Sequence, residues 1–327
     1  MTLLHDWQAK PTDDHPLVRL GRLLRQADYA FTTISNPSHR RVNAREHNAT
    51  ARDLRGVFGW NRPFTADVVG DEILQLMDAA GILAPDADWD QAQGGKRYRS
   101  ALRASTAGAA LYFHSAYPTH DVDSVFFGPD TYRYMQVVEA ALATGAPIAR
   151  AVDIGAGAGP GAMTVARAYP EAQVWGVDIN PKALALTALN AQLAGLPNID
   201  VALSDMLTGV DGQFDLIVAN PPFMVDDDQR TYCHGGGELG EGLSHAIVDS
   251  AIARLAPGGR LVLYSCLPII DGVDPFRQQA GARLTAAGFH WQYREIDPDV
   301  FGGELGDDIH RHTDRIAAIS LIAARPA

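Results

Sequence analysis

The sequence predicts an α/β protein in which a doubly wound sheet follows a mainly helical N-terminal part. From residue 146 onward, apolar strand patterns and helical patterns alternate with short connections. The apolar run 147–154 is followed by glycines at every second position and then by a helical pattern, which indicates a tight strand-to-helix turn. The first 125 residues lack this alternation. We therefore expect two domains, residues 1–125 and residues 126–327.

The N-terminal domain is expected to be helical, with one β-hairpin. Helical spacing of leucines predicts a helix over 15–29, and further helices are expected over 43–58 and 66–80. Two alternating segments, 96–104 and 109–116, are joined by a short turn and predict the hairpin. Such a domain suits a lid, a docking surface for a partner, or a dimerisation element. The sequence does not choose among these roles, and it leaves the oligomeric state open.

The second domain is expected to contain seven strands with helices between them. Its two last strands are separated by a long acidic loop, residues 297–308, which either overhangs the functional site or serves as a flexible connection. The predicted strands are 148–154, 173–178, 199–203, 214–219, 260–265, 290–296 and 315–323.

Composition sets the class of protein. The chain has 327 residues, of which 46% are hydrophobic, enough for a substantial core. No apolar run approaches the length of a membrane span, and the N-terminus lacks a basic start before an apolar segment, so we expect a cytoplasmic protein. The two cysteines, Cys233 and Cys266, have no zinc-type spacing, so no metal is expected. Two reduced thiols and a disulfide both stay open.

Charge is distributed unevenly along the chain. The formal net charge is −12, yet residues 1–62 hold ten Lys or Arg against six Asp or Glu. The remaining residues hold seventeen against thirty-three, so the body of the protein should repel a nucleic-acid backbone. The basic stretch 38–62 suits a phosphate or carboxylate ligand, or a solvated face. A nucleic-acid acceptor is therefore disfavoured.

The glycine-rich turn carries acidic residues that restrict its ligand. By itself the turn suits a dinucleotide, whose pyrophosphate binds a helix N-terminus. A carboxylate at Asp153 would repel a pyrophosphate but suits a positively charged ligand, and Asp178 ends the next strand. The array Asp153, Gly155, Gly157 and Gly159 resembles the first motif of class I S-adenosylmethionine-dependent methyltransferases. This resemblance implies a Rossmann-like sheet with strand order 3-2-1-4-5-7-6, and S-adenosylmethionine as the cofactor.

The resemblance also implies which residues contact the cofactor. Asp178 would reach the ribose hydroxyls, and Asp205 with Met206 would lie at the adenine. The segment 125–132 resembles the entry loop of glutamine and small-domain methyltransferases, with Gly128 and Tyr132 in place of the usual arginine and glutamate. The implied contacts are Phe127, Asp130, Asp153, Gly155, Gly157, Gly159, Asp178, Ile179, Asp205, Met206 and Asn220. Asp130 and Asp178 also suit helix N-caps, and Asp205 suits a turn.

A second motif follows the fourth strand of the sheet. Asn220-Pro-Pro-Phe223 resembles the motif of enzymes that methylate nitrogen on adenine, guanine, cytosine or glutamine. Two prolines fix the backbone, so the Asn220 side-chain oxygen and the Pro221 carbonyl can grip the hydrogens of a planar amine. Phe223 offers an aromatic face to a flat acceptor or to a sulfonium.

The residues after this motif predict a mobile polar loop beside the reaction centre. Tyr232 and His234 precede three glycines; His234 could take a proton, and Tyr232 could orient an amine. Each is equally compatible with a surface loop position.

Three hypotheses about function follow. The first is methyl transfer from S-adenosylmethionine to a nitrogen of a small molecule or a protein side chain. The second, from overall resemblance to azetidine-2-carboxylate synthases, is cyclisation of S-adenosylmethionine with release of methylthioadenosine, in a pocket without room for an acceptor. The third is a binding module with a relict cofactor site, against which two intact motifs argue.

Overall fold

The computed structural model describes residues 7–87, 95–119, 121–225 and 234–327. Its centre is a seven-stranded sheet whose strands are β5 (Arg150–Ile154), β6 (Gln173–Asp178), β7 (Ile199–Leu203), β8 (Phe214–Ala219), β9 (Leu255–Ile270), β10 (His290–Asp297) and β11 (Thr313–Ala324). The spatial order is β7-β6-β5-β8-β9-β11-β10. This confirms the expected order 3-2-1-4-5-7-6, with β11 antiparallel to both of its neighbours.

The predicted strands are close to the observed ones, and the largest difference in length is at β9. This strand begins before the predicted 260–265, where Leu255 pairs with Phe214 of β8, and it ends after it because β11 pairs with it as far as Ile270. The parallel strands β5, β6, β7 and β8 are the short ones, and their carboxyl ends lie at one edge of the sheet. Ligands bind at this edge in doubly wound folds.

Helices cover both faces of the sheet: α5 (Pro129–Leu142), α6 (Pro160–Ala168), α7 (Pro181–Ala194), α8 (Gly242–Arg254) and α9 (Pro275–Ala286). Successive residues of β9 alternate between the two cores, because side chains in a strand point to opposite faces. Val262 and Tyr264 pack in the core of α5, α6 and α7, whereas Leu261 and Leu263 pack in the core of α8 and α9.

The N-terminal part contains α1 (Pro16–Gln26), α2 (Asn36–Asn43), α3 (Ala66–Val69) and α4 (Asp71–Ala79). The expected helix over 43–58 is wrong. Helix α2 begins earlier because Pro37 occupies its first turn, and only two single turns, Glu46–Asn48 and Arg55–Gly59, follow it. The expected helix over 66–80 is divided at Gly70, whose φ of 77° no helix accommodates.

The predicted hairpin is confirmed with a shifted turn. It consists of β3 (Leu102–Ala107) and β4 (Ala110–Ser115), joined at Gly108, whose φ is 56°. The residues before it form β2 (Tyr98–Ser100), which pairs instead with β1 (Leu83–Pro85). The hairpin therefore begins several residues later than its alternation pattern indicates.

The N-terminal part is joined to the sheet by a shared hydrophobic core. Leu17 and Leu20 of α1 belong to the same buried cluster as Leu186 of α7 and Leu216 of β8. The division at residue 125 remains a prediction. No helix within the described residues is long and apolar enough to cross a membrane.

Candidate active site

A cavity of about 1960 Å³ lies at the carboxyl edge of the parallel strands. The ends of β5, β6, β7 and β8 form one wall, and the start of α5 forms another. The N-terminal part contributes residues 32–37, 40 and 117–119, and the acidic loop contributes residues 299–304 and 306–308. Of the two predictions for this loop, the structure supports the one in which it overhangs the site.

The glycine turn after β5 presents bare backbone to this cavity. Gly155 and Gly157 line it with φ values of 72° and 57°, and a Cβ at Gly155 would meet open space. Gly159 is different. It does not line the cavity, and a Cβ there would stand 3.1 Å from the Thr187 side chain of α7, so this glycine permits helix packing.

Asp153 lies behind the turn, contrary to the expectation that it faces the ligand. It is 1% exposed and is not part of the cavity wall. Its carboxylate accepts hydrogen bonds from the Tyr134 hydroxyl and from the Ala162 N–H, each at 2.8 Å. Burial raises the pKa of Asp153 to about 7, against the Tyr134 hydrogen bond, which lowers it. Asp153 therefore positions the turn, and Tyr134, which does line the cavity, was missed by sequence reasoning.

Asp178 and Ile179 at the end of β6 both line the cavity. The Asp178 carboxylate accepts from the Gly157 N–H at 3.0 Å and from the Asn180 N–H at 2.9 Å, which fixes it beside the glycine turn. The N-cap of α7 is Asn180, so the expectation that Asp178 caps this helix is wrong. Ile179 is 54% exposed and gives the cavity an apolar surface against which a flat ring can pack.

Asp205 and Met206 line the cavity at the end of β7. The turn is held by Ser204, whose hydroxyl donates to the Met206 carbonyl at 2.9 Å and accepts from the Gly209 N–H at 2.8 Å. Met206 has a φ of 50°, which keeps the turn tight. The side chain of Asp205 is exposed at the cavity.

The entry loop places Phe126, and not Phe127, in the cavity wall. Phe127 is 2% exposed and packs against the rings of Tyr112, His114 and Tyr132. Neighbouring residues of the loop point in opposite directions, and the sequence does not say which of two adjacent phenylalanines faces the core. The prediction for Phe127 therefore fails by one position.

Asp130 lines the cavity but makes its contacts within the protein. It is 4% exposed and accepts from the Tyr264 hydroxyl at 2.9 Å and from Arg133 at 3.2 Å. Burial raises the pKa of Asp130. The N-cap of α5 is Gly128, so the capping role expected as an alternative for Asp130 is also wrong.

All four residues of the Asn220-Pro-Pro-Phe223 motif line the cavity. The Asn220 side-chain oxygen is buried and has no hydrogen-bond partner among the described residues. Buried polar atoms almost always form hydrogen bonds, so this oxygen is available to accept one from a bound ligand. The Phe223 ring contacts the Phe301 ring of the acidic loop, with centroids 5.4 Å apart.

The glycines after the motif support its backbone. The Gly235 N–H donates to the Met224 carbonyl at 2.7 Å, and a Cβ at Gly240 would stand 2.2 Å from the Phe223 carbonyl oxygen. His234 forms a strand-like bridge with Met224 and is not part of the cavity wall. Tyr232 lies outside the described residues, as does Cys233.

These motifs lie in a segment that matches a known family model. Residues 137–267 match the model described as the methyltransferase small domain. The sheet order and both motifs agree with the class I fold of S-adenosylmethionine-dependent methyltransferases.

Three relatives of known activity resemble parts of the chain. A release factor glutamine methyltransferase of Deinococcus radiodurans is 34% identical over 47% of this chain and 55% of its own length. One from Cereibacter sphaeroides is 35% identical over 46% of this chain and 64% of its own length. A 4-amino-L-phenylalanine/4-methylamino-L-phenylalanine methyltransferase of Streptomyces pristinaespiralis is 31% identical over 38% and 47%. Each alignment spans less than two thirds of the relative.

S-adenosylmethionine is the methyl donor of this family, and the small-domain site fits it. Bare backbone at Gly155 leaves room where a Cβ would fill it, and the Asp178 carboxylate stands beside that backbone. The exposed face of Ile179 suits an adenine ring, and the carboxyls in the wall suit a cation. Among the described residues, no group of three or more His, Cys, Asp or Glu could hold a metal ion.

Proposed function

We propose that this chain transfers a methyl group from S-adenosylmethionine to the nitrogen of an amide or aromatic amine. The observation that carries the proposal is that Asn220, whose buried side-chain oxygen has no partner among the described residues, lines the same cavity as Gly155 and Asp178. The relatives act on glutamine or on an aromatic amine, and both offer a planar NH₂ group. The acceptor is accordingly a protein side chain or a small molecule with such a group.

The residues of the motif orient this group. When bound, S-adenosylmethionine supplies an electrophilic methyl group. The Asn220 oxygen and the Pro221 carbonyl accept the two hydrogens of the acceptor nitrogen, which directs its lone pair and stabilises the positive charge that grows there. Phe223, held against Phe301, provides a flat apolar wall for the planar group. An amine of this kind releases its proton after attack and needs no strong base beforehand.

The cofactor contacts are assigned to the carboxyl edge of the sheet. Gly155 and Gly157 give backbone contacts, Asp178 holds the ribose, and Ile179 with Met206 encloses the adenine, with Asp205 at its edge. Asp153 positions the glycine turn from behind it, and Gly159 permits the packing of α7 against it. The catalytic roles expected for His234 and Tyr232 stay predictions. Residues 1–125 form the accessory domain that closes the acceptor side, and we place the protein in the cytoplasm.

The size of the cavity favours two substrates over the cyclase hypothesis. Sites for single drug-sized ligands have volumes of about 300–1,000 Å³, and this cavity is roughly twice the upper value. The carboxyls in its walls disfavour an acceptor rich in phosphate. None of the relatives compared above is a cyclase.

The test is product analysis by mass spectrometry. The protein is incubated with S-adenosylmethionine alone, with a glutamine-containing peptide, and with para-amino-L-phenylalanine. We expect S-adenosylhomocysteine and an N-methylated product only when an acceptor is present. Methylthioadenosine with an imino acid in the reaction without acceptor would overturn methyl transfer, and failure to bind S-adenosylmethionine in calorimetry would overturn the cofactor assignment.

A further inference from the structure

The acidic loop (residues 297–308) reaches the Asn-Pro-Pro-Phe motif and fixes one carboxyl beside it. Phe301 contacts Phe223, and the Glu304 N–H donates to the Phe301 carbonyl at 2.9 Å. Glu304 thereby begins a single 3-10 turn next to this ring pair. Glu304 lines the cavity at the carboxyl edge of the sheet. It also lines a narrow cleft, together with Phe223 and Met224.

Within the part of the chain that the structure describes, no Lys or Arg forms an ion pair with Glu304. The titratable groups that face it are Asp307 and His310. Burial raises the pKa of Glu304, Asp307 raises it further, and His310 opposes them. The ionised form of a half-buried carboxyl next to a second carboxyl is unfavourable unless a positively charged group binds beside it.

The described wall of the cavity contains more carboxyl groups than arginines. The acidic loop adds three more carboxyls to the wall, those of Asp299, Asp307 and Asp308. Arg133 is engaged by Asp130 at 3.2 Å and by Asp297 at 3.0 Å. This leaves Arg40, which is exposed on α2, as the other arginine of the wall.

A second observation indicates that a ligand belongs here. Asn220 lines the same cavity as Glu304, and its buried side-chain oxygen has no donor among the described residues. A ligand that satisfies both groups brings an N–H to Asn220 and a positive charge to Glu304.

We propose that Glu304 is a specificity residue that binds a positively charged nitrogen group carried by the acceptor beside its reacting nitrogen. The acceptor is then a molecule or peptide segment with an ammonium or guanidinium group close to its planar NH₂. This inference rests on the proposed function, because it assumes that Asn220 marks the acceptor position.

The test compares three arylamines that differ in the charge of one substituent: para-aminobenzylamine, which is cationic, para-aminobenzamide, which is neutral, and para-aminobenzoate, which is anionic. Their binding to protein saturated with S-adenosylhomocysteine is measured by calorimetry. We expect the cation to bind at least fivefold more tightly than the anion. In Glu304→Gln this ratio should fall to within twofold, while the affinity for S-adenosylhomocysteine is retained.

The control is Glu171→Gln, an exposed carboxyl at the opposite edge of the sheet, just before β6. It should keep the wild-type ratio. The proposal is overturned by tighter binding of the anion, by an unchanged ratio in Glu304→Gln, or by no binding of any arylamine to protein that binds S-adenosylhomocysteine. If the wild-type protein does not bind S-adenosylhomocysteine, the proposed function is overturned instead.

Discussion

Tyr134 donates its hydroxyl proton to Asp153 across 2.8 Å, and this bond joins helix α5 to the strand that precedes the glycine turn. Gly161 lies against both groups, since a Cβ there would stand 2.1 Å from the Tyr134 hydroxyl and 2.6 Å from Asp153. Gly161, in the first turn of α6, therefore makes room for a hydrogen bond within the protein. Through this bond, the cavity wall and the turn are positioned together.

We expect Tyr134→Phe to weaken both the fold and cofactor binding. The change leaves a buried carboxylate short of a donor, which costs about 1–3 kcal/mol of unfolding free energy. The loosened turn should lower the affinity for S-adenosylmethionine several-fold in calorimetry. Tyr169→Phe is the control, because Tyr169 donates a similar bond to the Ala146 carbonyl away from the cavity. Equal cofactor affinity in the two variants would contradict this positioning role.

Asn220→Ala should separate chemistry from cofactor binding. Removal of the side-chain oxygen takes away one of two acceptors for the reacting nitrogen, so the turnover rate should fall about 100-fold or more. The dissociation constant for S-adenosylmethionine should change less than about threefold. Asn220→Asp keeps an acceptor oxygen, so its turnover rate should lie between those of Asn220→Ala and the wild type. Parallel loss of both quantities in Asn220→Ala would mean that the acceptor nitrogen binds elsewhere.

Gly240→Ala should disturb the motif through its backbone. Gly240 has a φ of 92°, and a new Cβ would stand 2.2 Å from the Phe223 carbonyl oxygen, so Phe223 must move. Gly236→Ala is a matched control, because its φ of 66° imposes a similar strain of about 1–2 kcal/mol, while its Cβ would meet nothing within 4 Å. We expect at least a tenfold lower turnover rate in Gly240→Ala than in Gly236→Ala. Similar rates would show that the loop does not support the motif.

His39 should lower protein stability in mild acid, against the opposite contribution of Asp153, whose raised pKa favours the folded state as the pH falls from 7. This residue is 1% exposed between the rings of Trp60 and Tyr117, and burial lowers its pKa to about 4 from an ordinary 6.5. Below pH 6.5, His39 is therefore protonated in the unfolded chain but stays neutral in the folded chain. Above pH 6.5 the side chain is neutral in both states and costs no stability. As the pH falls from 6.5 towards 4, its contribution lowers the free energy of unfolding by up to about 1.4 kcal/mol per pH unit.

Urea unfolding at several pH values measures this loss. His39→Phe keeps a ring between its neighbours and should show a shallower decline than the wild type. His47→Gln, at an exposed position, should decline as the wild type does. Burial also places the pKa of His114 well below its ordinary value, so some decline should persist in His39→Phe. Identical slopes in His39→Phe and the wild type would contradict the assignment.

The sequence by itself determined the strands of the sheet, the helices between them and the two motifs at its edge. Alternating strand and helix patterns predict parallel pairing, and residues that end parallel strands, such as Asp178 and Asn220, must meet at one edge. The family resemblance added the strand order, which the structure confirms. These properties depend on local periodicity and on residues close together in the chain.

Only the tertiary structure decided which side chains face the cavity. Asp153 points to Tyr134 instead of the ligand, and Phe126 takes the place expected for Phe127. Glu304 reaches the site through Phe301 and Phe223, two residues far apart in the chain that come into contact only when the acidic loop folds over the sheet. Periodicity carries no information about such long-range contacts, because packing of distant segments sets them.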